Sequence, residues 1–325
     1  MTTRRAFIRN TILCLAVVPL AKGQPTKIYR VGVVSAGGPY NRAVEGLRDG
    51  LKEAGLEEGK QYVFHVRDTN GEMKKVAEDA ATSLEREKVD LIFSVPTSVT
   101  LAVKRATTQV PIVFFAGSDP VEQGLVSSFA KPGGRVTGVY SLSQELTGKR
   151  LETLKQIAPR IRNVAMFFNP GNSVAKDSVK SARDAARQLG IMLVDREVRS
   201  SDELRASLQA LKRTEVDALF LVTDATIQSH ASLIVEAAKT RKLPAMFYDR
   251  SVVADGGLAS YGVSYYAVGK LAAKYVHQVL RGVSPADLPV ERSDRFEFVL
   301  NARTAREIGI TIPSAVLLRA DEVIQ

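Results

Sequence analysis

The sequence predicts an α/β protein made of two similar lobes, each built on a mostly parallel sheet. Three observations lead there. Short apolar runs of strand type alternate with amphipathic helical stretches along nearly the whole chain, the pattern of repeated βαβ units. One such unit is written plainly: Val89-Asp90-Leu91-Ile92-Phe93 is a buried-strand run, and Thr97 is a helix N-cap candidate. Val99, Leu101, Ala102, Val103 and Ala106 follow at helical spacing, then Val110-Pro111-Ile112-Val113-Phe114-Phe115 is a second strand and Gly117-Ser118-Asp119-Pro120 a turn. The unit also has a twin. Val216-Asp217-Ala218-Leu219-Phe220, Thr223-Asp224 and Leu243-Pro244-Ala245-Met246-Phe247-Tyr248 repeat it in order, and residues 31–38 have a looser echo in 164–172.

Strands joined by a helix lie parallel, with a right-handed crossover. The polar turns at 95–98 and 116–120 therefore open at the same carboxyl edge, where open α/β sheets hold ligands. In chain order, strands are expected at 29–35, 62–68, 89–93, 110–115 and 136–140. Helices are expected at 41–54, 72–87 and 97–106. A second set follows, with helices at 147–158, 173–189, 201–213 and 226–240 and strands at 163–168, 192–198, 218–222 and 245–248. The strand-like stretch 258–263, the helix 265–281, a Pro-containing link at 282–289 and a strand at 296–300 complete the series before a short helix and tail.

The 325 residues leave room for two ordinary domains and a substantial core. The formal charge is +10, but Arg4, Arg5, Arg9 and Lys22 lie in the first 23 residues. The rest has 41 Lys and Arg against 35 Asp and Glu, a net +6. These cations are scattered among acidic neighbours, as in Glu85-Arg86-Glu87-Lys88, so a solvated surface accounts for them and no nucleic-acid partner is implied.

Residues 1–23 read as a signal peptide. Thr3-Arg4-Arg5-Ala6-Phe7-Ile8-Arg9 resembles the twin-arginine export signal, residues 11–20 are apolar, and Ala21-Lys22-Gly23 offers small residues before a cut. The apolar part is too short to span a bilayer. A basic start before an ordinary secretory signal is the plainer reading of the same residues; either route exports the chain to the periplasm. The only cysteine, Cys14, follows Leu13 rather than a small residue, so no lipid anchor is expected and the cleaved chain has no thiol.

Catalytic signatures are missing. Ser35-Ala36-Gly37-Gly38 lacks the dinucleotide spacing, Gly148-Lys149-Arg150 is not a P-loop, and no nucleophile elbow occurs. His65, His230 and His277 have no metal-ligand spacing, so neither a metal nor a cofactor is expected. What remains is polar turns at strand ends. Thr97 and Ser98 stand at a helix N-terminus, where backbone N–H groups and the helix dipole favour an anion such as a carboxylate. The same Thr97 can simply cap its helix. Asp224 is placed either to accept from a ligand ammonium or to cap the helix that follows. Ser118 and Asp119 sit in the turn at 117–120, and Tyr40, Tyr140 and Tyr248 fall at strand ends or early loops, where aromatics cover the apolar part of a small ligand.

The chain resembles the ABC-transporter substrate-binding family that includes tryptophan- and phenylalanine-binding lipoproteins. The matching pieces include Gly46-Leu47-Arg48-Asp49-Gly50-Leu51, Asp119-Pro120-Val121, Gly148-Lys149-Arg150-Leu151-Glu152, Asn169-Pro170, Leu243-Pro244-Ala245 and Arg319-Ala320-Asp321-Glu322-Val323-Ile324. Their order through the whole mature chain is the specific part. The resemblance implies a type I periplasmic-binding-protein fold, two Rossmann-like lobes with parallel sheets joined by three crossovers. The N-terminal lobe would hold 27–140 and 249–284, the C-terminal lobe 141–248 and 285–325. It further implies that Ser35, Thr97, Ser98, Asp119, Asn169, Asp224 and Tyr248 match cleft-lining positions. The chain departs from the family's amino-acid binders in having no lipobox and no tryptophan.

The expected role is a monomeric, non-enzymatic solute receptor that hands a small carboxylate-bearing ligand to an ABC permease and its ATPase. A sensing subunit for a signalling partner uses the same fold, and an exported enzyme is the remaining alternative. Export is directly testable. Cleavage is expected after Gly23, and Arg4→Lys with Arg5→Lys should leave precursor in the cytoplasm in a fractionation assay. Normal export in a strain lacking the twin-arginine pathway would overturn that route.

Overall fold

The computed structural model describes residues 27–325 apart from 72–73, 144, 173–174 and 223. The expected signal segment, with Cys14, and Thr223 lie outside the described residues. From the N-terminal side the chain runs β1 (Tyr29–Ser35), α1 (Asn41–Glu53), β2 (Tyr62–Asp68), α2 (Lys75–Arg86), β3 (Leu91–Val95), α3 (Thr97–Ala106), β4 (Ile112–Ala116) and β5 (Val136–Tyr140). The second series is α4 (Leu146–Ile157), β6 (Asn163–Phe168), α5 (Ala175–Leu189), β7 (Met192–Glu197), α6 (Ser201–Gln209) and β8 (Ala218–Leu221). It continues through α7 (Ala225–Ser229), α8 (Ala231–Thr240), β9 (Ala245–Phe247), α9 (Arg250–Ala254) and β10 (Ala259–Val263). The last elements are α10 (Tyr265–Leu280), β11 (Glu291–Arg292), β12 (Phe296–Asn301), α11 (Ala302–Ile308), α12 (Ser314–Leu317) and β13 (Glu322–Ile324).

Two sheets result, ordered β11-β5-β4-β3-β1-β2 and β13-β12-β10-β9-β8-β6-β7. Every pairing is parallel except β10 with β12. The repeat seen in the sequence is a repeat in space. The order β4-β3-β1-β2 in one lobe matches β9-β8-β6-β7 in the other. The twin aspartates even do the same work. Asp90 accepts from the backbone N–H of Arg30 at the foot of β1, and Asp217 from those of Arg162 and Asn163 at the foot of β6. Each carboxylate thus satisfies amides that the ladder leaves open.

The central strands of both sheets are apolar on both faces, as strands covered by helices on each side must be. Val31, Val33, Leu91, Phe93, Ile112 and Phe114 are fully buried in the first lobe. Val164, Met166, Ala218 and Phe220 face one side of the second sheet, and Ala165, Phe167, Leu219 and Leu221 the other.

The lobe boundaries differ from those expected. Residues 249–263 belong to the second sheet, because α9 leads directly into β10, which lies beside β9. Conversely β11 pairs with β5 in the first sheet. The crossings fall at 141–145, at Ser264 and at 293–295, so three segments do join the lobes. Two local expectations also change. The helix expected over 226–240 breaks at His230, whose ring Nδ1 stands 2.9 Å from the Thr226 carbonyl while its backbone N–H turns to Ile227. The ring takes the acceptor that the helix ladder would have used. Thr97 is the first residue of α3 rather than its N-cap; Pro96 holds that place in extended backbone. The short edge strands β11 and β13 have too few residues to show an alternation.

Helices α1 and α10 meet backbone to backbone. A Cβ on Gly46 would stand 2.0 Å from the Tyr266 carbonyl oxygen, and one on Gly269 would stand 1.8 Å from that of Ala43. Both obstacles are main chain within packed helices, so neither can yield by a side-chain rotation. Gly269→Ala is therefore expected to cost about 1–3 kcal/mol by overpacking and to lower the calorimetric melting midpoint by several degrees. An unchanged midpoint would mean the two helices separate freely.

Candidate functional site

The turns at the carboxyl ends of both sheets converge on one narrow cavity. It is slender, leaving the centre of a water-sized sphere about 20 Å3 in which to move. The first lobe supplies Tyr40, Pro96, Thr97, Ser98, Phe115, Gly117 and Tyr265. The second supplies Asn172, Ala225 and Val263, and Ser143 enters from the first crossing.

One wall is aromatic. The Tyr40 and Tyr265 rings lie 4.8 Å apart, tilted, and Phe115 meets Tyr265 edge-on at 5.9 Å. All three are buried, and burial pushes the hydroxyls of Tyr40 and Tyr265 well above the usual phenol range. They are neutral hydrogen-bonding groups at any physiological pH.

The opposite end is polar and rigid. Thr97 Oγ1 accepts from the Gly117 N–H at 2.9 Å and from the Ser118 hydroxyl at 3.0 Å. With two bonds received, its own proton is the one it can give to a group in the cavity. Ser98 lies beside it, and no side chain caps the start of α3. A compact anion is what such an end accommodates.

Of the residues singled out in the sequence, Tyr40, Thr97 and Ser98 form the wall. Ser118 stands one hydrogen bond behind Thr97. Ser35 shapes its own loop, donating to Asn41 at 2.8 Å and accepting from the Gly37 N–H. Asp119 closes its turn on the N–H groups of Val121 and Glu122. Tyr140 stacks on Phe129 with centroids 4.9 Å apart. Asn169 accepts from Gly171 and donates its backbone N–H to Asp224.

Asp224 is the N-cap of α7. It is 1% exposed and accepts from Thr226 at 2.9 Å, Ile227 at 3.4 Å and Asn169 at 2.7 Å. Burial pushes its carboxyl up, against the pull of these amides and of the Asn172 side chain. The cap thereby steadies Asn172, which does reach the cavity. Tyr248 is buried with its ring 4.5 Å from the guanidinium carbon of Arg150.

Sequence reasoning did not single out Asn172, Ser143, Val263 or Tyr265 for the site. Phe115 and Gly117 lay in the marked unit, and their place at its strand end was the available signal. Val263 and Tyr265 flank a crossing that no local pattern reveals. Among the described residues no group of three His, Cys, Asp or Glu side chains comes together as a metal site.

Residues 31–324 match the family described as ABC transporter substrate binding protein. A tyrosine-binding protein of Clostridioides difficile (strain R20291) is 29% identical over 275 residues, covering 85% of this chain and 79% of that protein. The solved ABC domain in complex with L-Trp from Streptococcus pneumonia is 26% identical and covers 92% of this chain and 100% of its own, with a TM-score of 0.79. The ligand-free, open structure of a substrate binding protein with adhesive properties from Clostridium difficile is 25% identical, covers 92% and 99%, and gives 0.60. The fold is that of type I periplasmic binding proteins, as the sequence resemblance implied.

A carboxylate holding three backbone amides is a structural element before it is a ligand contact. Asp224→Ala should lower the unfolding free energy by about 1–3 kcal/mol in urea titrations without ligand. An unchanged urea midpoint would show that the amides do not depend on the carboxylate.

Proposed function

We propose that this chain, which belongs to the ABC transporter substrate-binding protein family, captures an amino acid with an aromatic side chain between its lobes. In this reading the ligand's carboxylate meets the start of α3, where Thr97 and Ser98 offer hydroxyl and backbone donors. Its ring lies against Tyr40, Phe115 and Tyr265. The observation that carries the reading is the pairing, in one cavity, of an uncapped helix start with an aromatic wall. The relatives named for tyrosine and bound to L-Trp support the same class.

No side-chain cation lines the cavity, and a multiply charged phosphate would normally draw Arg or Lys to its oxygens. A monoanionic carboxylate needs only hydrogen-bond donors. Export by residues 1–23, a periplasmic location and delivery of the captured amino acid to a permease complete the proposal. They rest on the signal-like N-terminus and on family membership.

Calorimetry tests it with L-tyrosine, L-tryptophan and 3-indolepropionate, the last lacking the amine. At least one amino acid is expected to bind. Thr97→Val should weaken it about tenfold or more, since a hydrogen bond to a charged group is worth about 1.5–3 kcal/mol. Absence of heat with all three, together with a ligand lacking a carboxylate in mass spectra of the denatured protein, would sink the reading.

A further inference from the structure

Arg150 is the largest side chain to be fully buried, and it lies at the junction of the crossings. It projects from α4, whose Leu151, Leu154 and Ile157 are packed in the second lobe's core. Its Nε donates to the Tyr261 carbonyl of β10 at 2.7 Å, just before the chain crosses at Ser264. Its Nη2 donates to the Ser143 carbonyl at 2.8 Å and the Ser143 hydroxyl at 2.9 Å, within the first crossing. The Tyr248 ring covers the guanidinium at 4.5 Å. Burial pushes the guanidinium down from its usual range, and these neutral acceptors and the ring help to hold the charge.

Ser143 also belongs to the other lobe. Its backbone N–H donates to the Gly117 carbonyl at 3.1 Å, and Gly117 in turn donates to Thr97 Oγ1. An unbroken hydrogen-bonded path therefore runs from a guanidinium fixed in the second lobe, through the first crossing, to the anion-binding turn of the first. The remaining crossings close the ring: Ser264 donates to Arg295 at 3.2 Å, and Ser293 to Tyr140 at 2.7 Å. Those links are single backbone bonds, whereas Arg150 ties the first crossing to β10 with a rigid planar fork.

We propose that Arg150 is a positioning residue that couples ligand contact at Thr97 to closure of the lobes, by pinning the first crossing at Ser143 to β10 at Tyr261, the strand that leads into the second crossing. It does so without lining the cavity. A ligand that fixes Thr97 and Gly117 fixes Ser143, and Arg150 carries that constraint to α4 and β10. The ligand part of this inference rests on the proposed amino-acid site, whereas the pin itself is a property of the ligand-free chain.

The test uses the full mature chain, with L-tryptophan and L-tyrosine as probes. Arg150→Gln, without ligand, is expected to show a larger radius of gyration in solution scattering than wild type. With ligand it should bind at least tenfold more weakly and close incompletely. Arg150→Lys, which keeps the charge and one donor, should recover part of both losses. A cooperatively melting Arg150→Gln protein with wild-type scattering curves and affinity would overturn the proposal.

Should the glutamine variant not fold, Arg150→Lys is read in the same way. Hydrogen exchange in wild type then adds a second readout: ligand should slow exchange at the Ser143 and Gly117 amides, and unchanged rates there would overturn the coupling. If neither amino acid binds wild type, the functional reading fails. The ligand-free scattering comparison still decides the pin.

Discussion

The parallel pairing of β3 and β4 beside β1, repeated as β8 and β9 beside β6, is the constraint from which the site follows. A parallel ladder needs a helical return after each strand, so every strand ends at the same edge. The polar turns that start those returns are then collected there without any further instruction. Thr97 follows β3, Gly117 follows β4, Asn172 follows β6 and Ala225 precedes the body of α7 after β8. Bringing the two edges together puts all of them around one cavity. The aromatic wall is the exception, since Tyr265 arrives only because the chain returns from the second sheet to begin α10.

This explains which parts were legible in the sequence. Apolar runs and helical spacing are local, so the strands from β1 to β10 and the repeat between lobes could be read directly. Thr97, Ser98 and Tyr40 could be read for the same reason, each lying at the end of a recognisable strand or in the loop after one. Asp224 showed its position but not its role, because a carboxylate at a helix start can cap or contact a ligand, and only the positions of the Asn169 and Thr226 amides decide. The lobe assignment of 249–292 was not legible. Nothing local distinguishes a strand that stays in its sheet from one that crosses. Ser143, Val263 and Tyr265 were missed for that reason, as were the two-residue strand β11 and the coupling of Arg150 to Tyr261, 111 residues away.

The enclosed cavity also implies motion. A space that confines a water-sized sphere so closely cannot admit a ligand unless the lobes part, so a binding-competent protein must populate a more open form. Gly38 and Gly71 both have positive φ, and a Cβ on either would stand 2.6 Å from Ser229 or His230 across the cleft. Such contacts are close but small in area, and they restrain closure less than the crossings do. The resting balance between forms is then set mainly at the three crossings, each short and each hydrogen-bonded to another.

The two lobes have diverged most where their repeat is otherwise closest. After β3 the helix start is left without a side-chain cap, and its threonine is turned aside to accept from Gly117 and Ser118. After β8 the N-cap position, held by Pro96 in the first lobe, carries Asp224, whose oxygens are taken up by the amides of its own loop and of the loop after β6. One helix start thus retains its attraction for an anion, while a carboxylate built into the other has already satisfied that attraction. In the proposed reading, a ligand with a single negative end would meet a cleft that is favourable on one side only, and so be oriented by it. Tyr40, Phe115 and Tyr265 lie on that same first-lobe side, which suits a ligand that docks first on the N-terminal lobe and is then covered by the second. The duplicated fold supplies two similar turns: Pro96 at one N-cap has no side chain to bond the helix amides, whereas Asp224 at the other bonds them and braces Asn172.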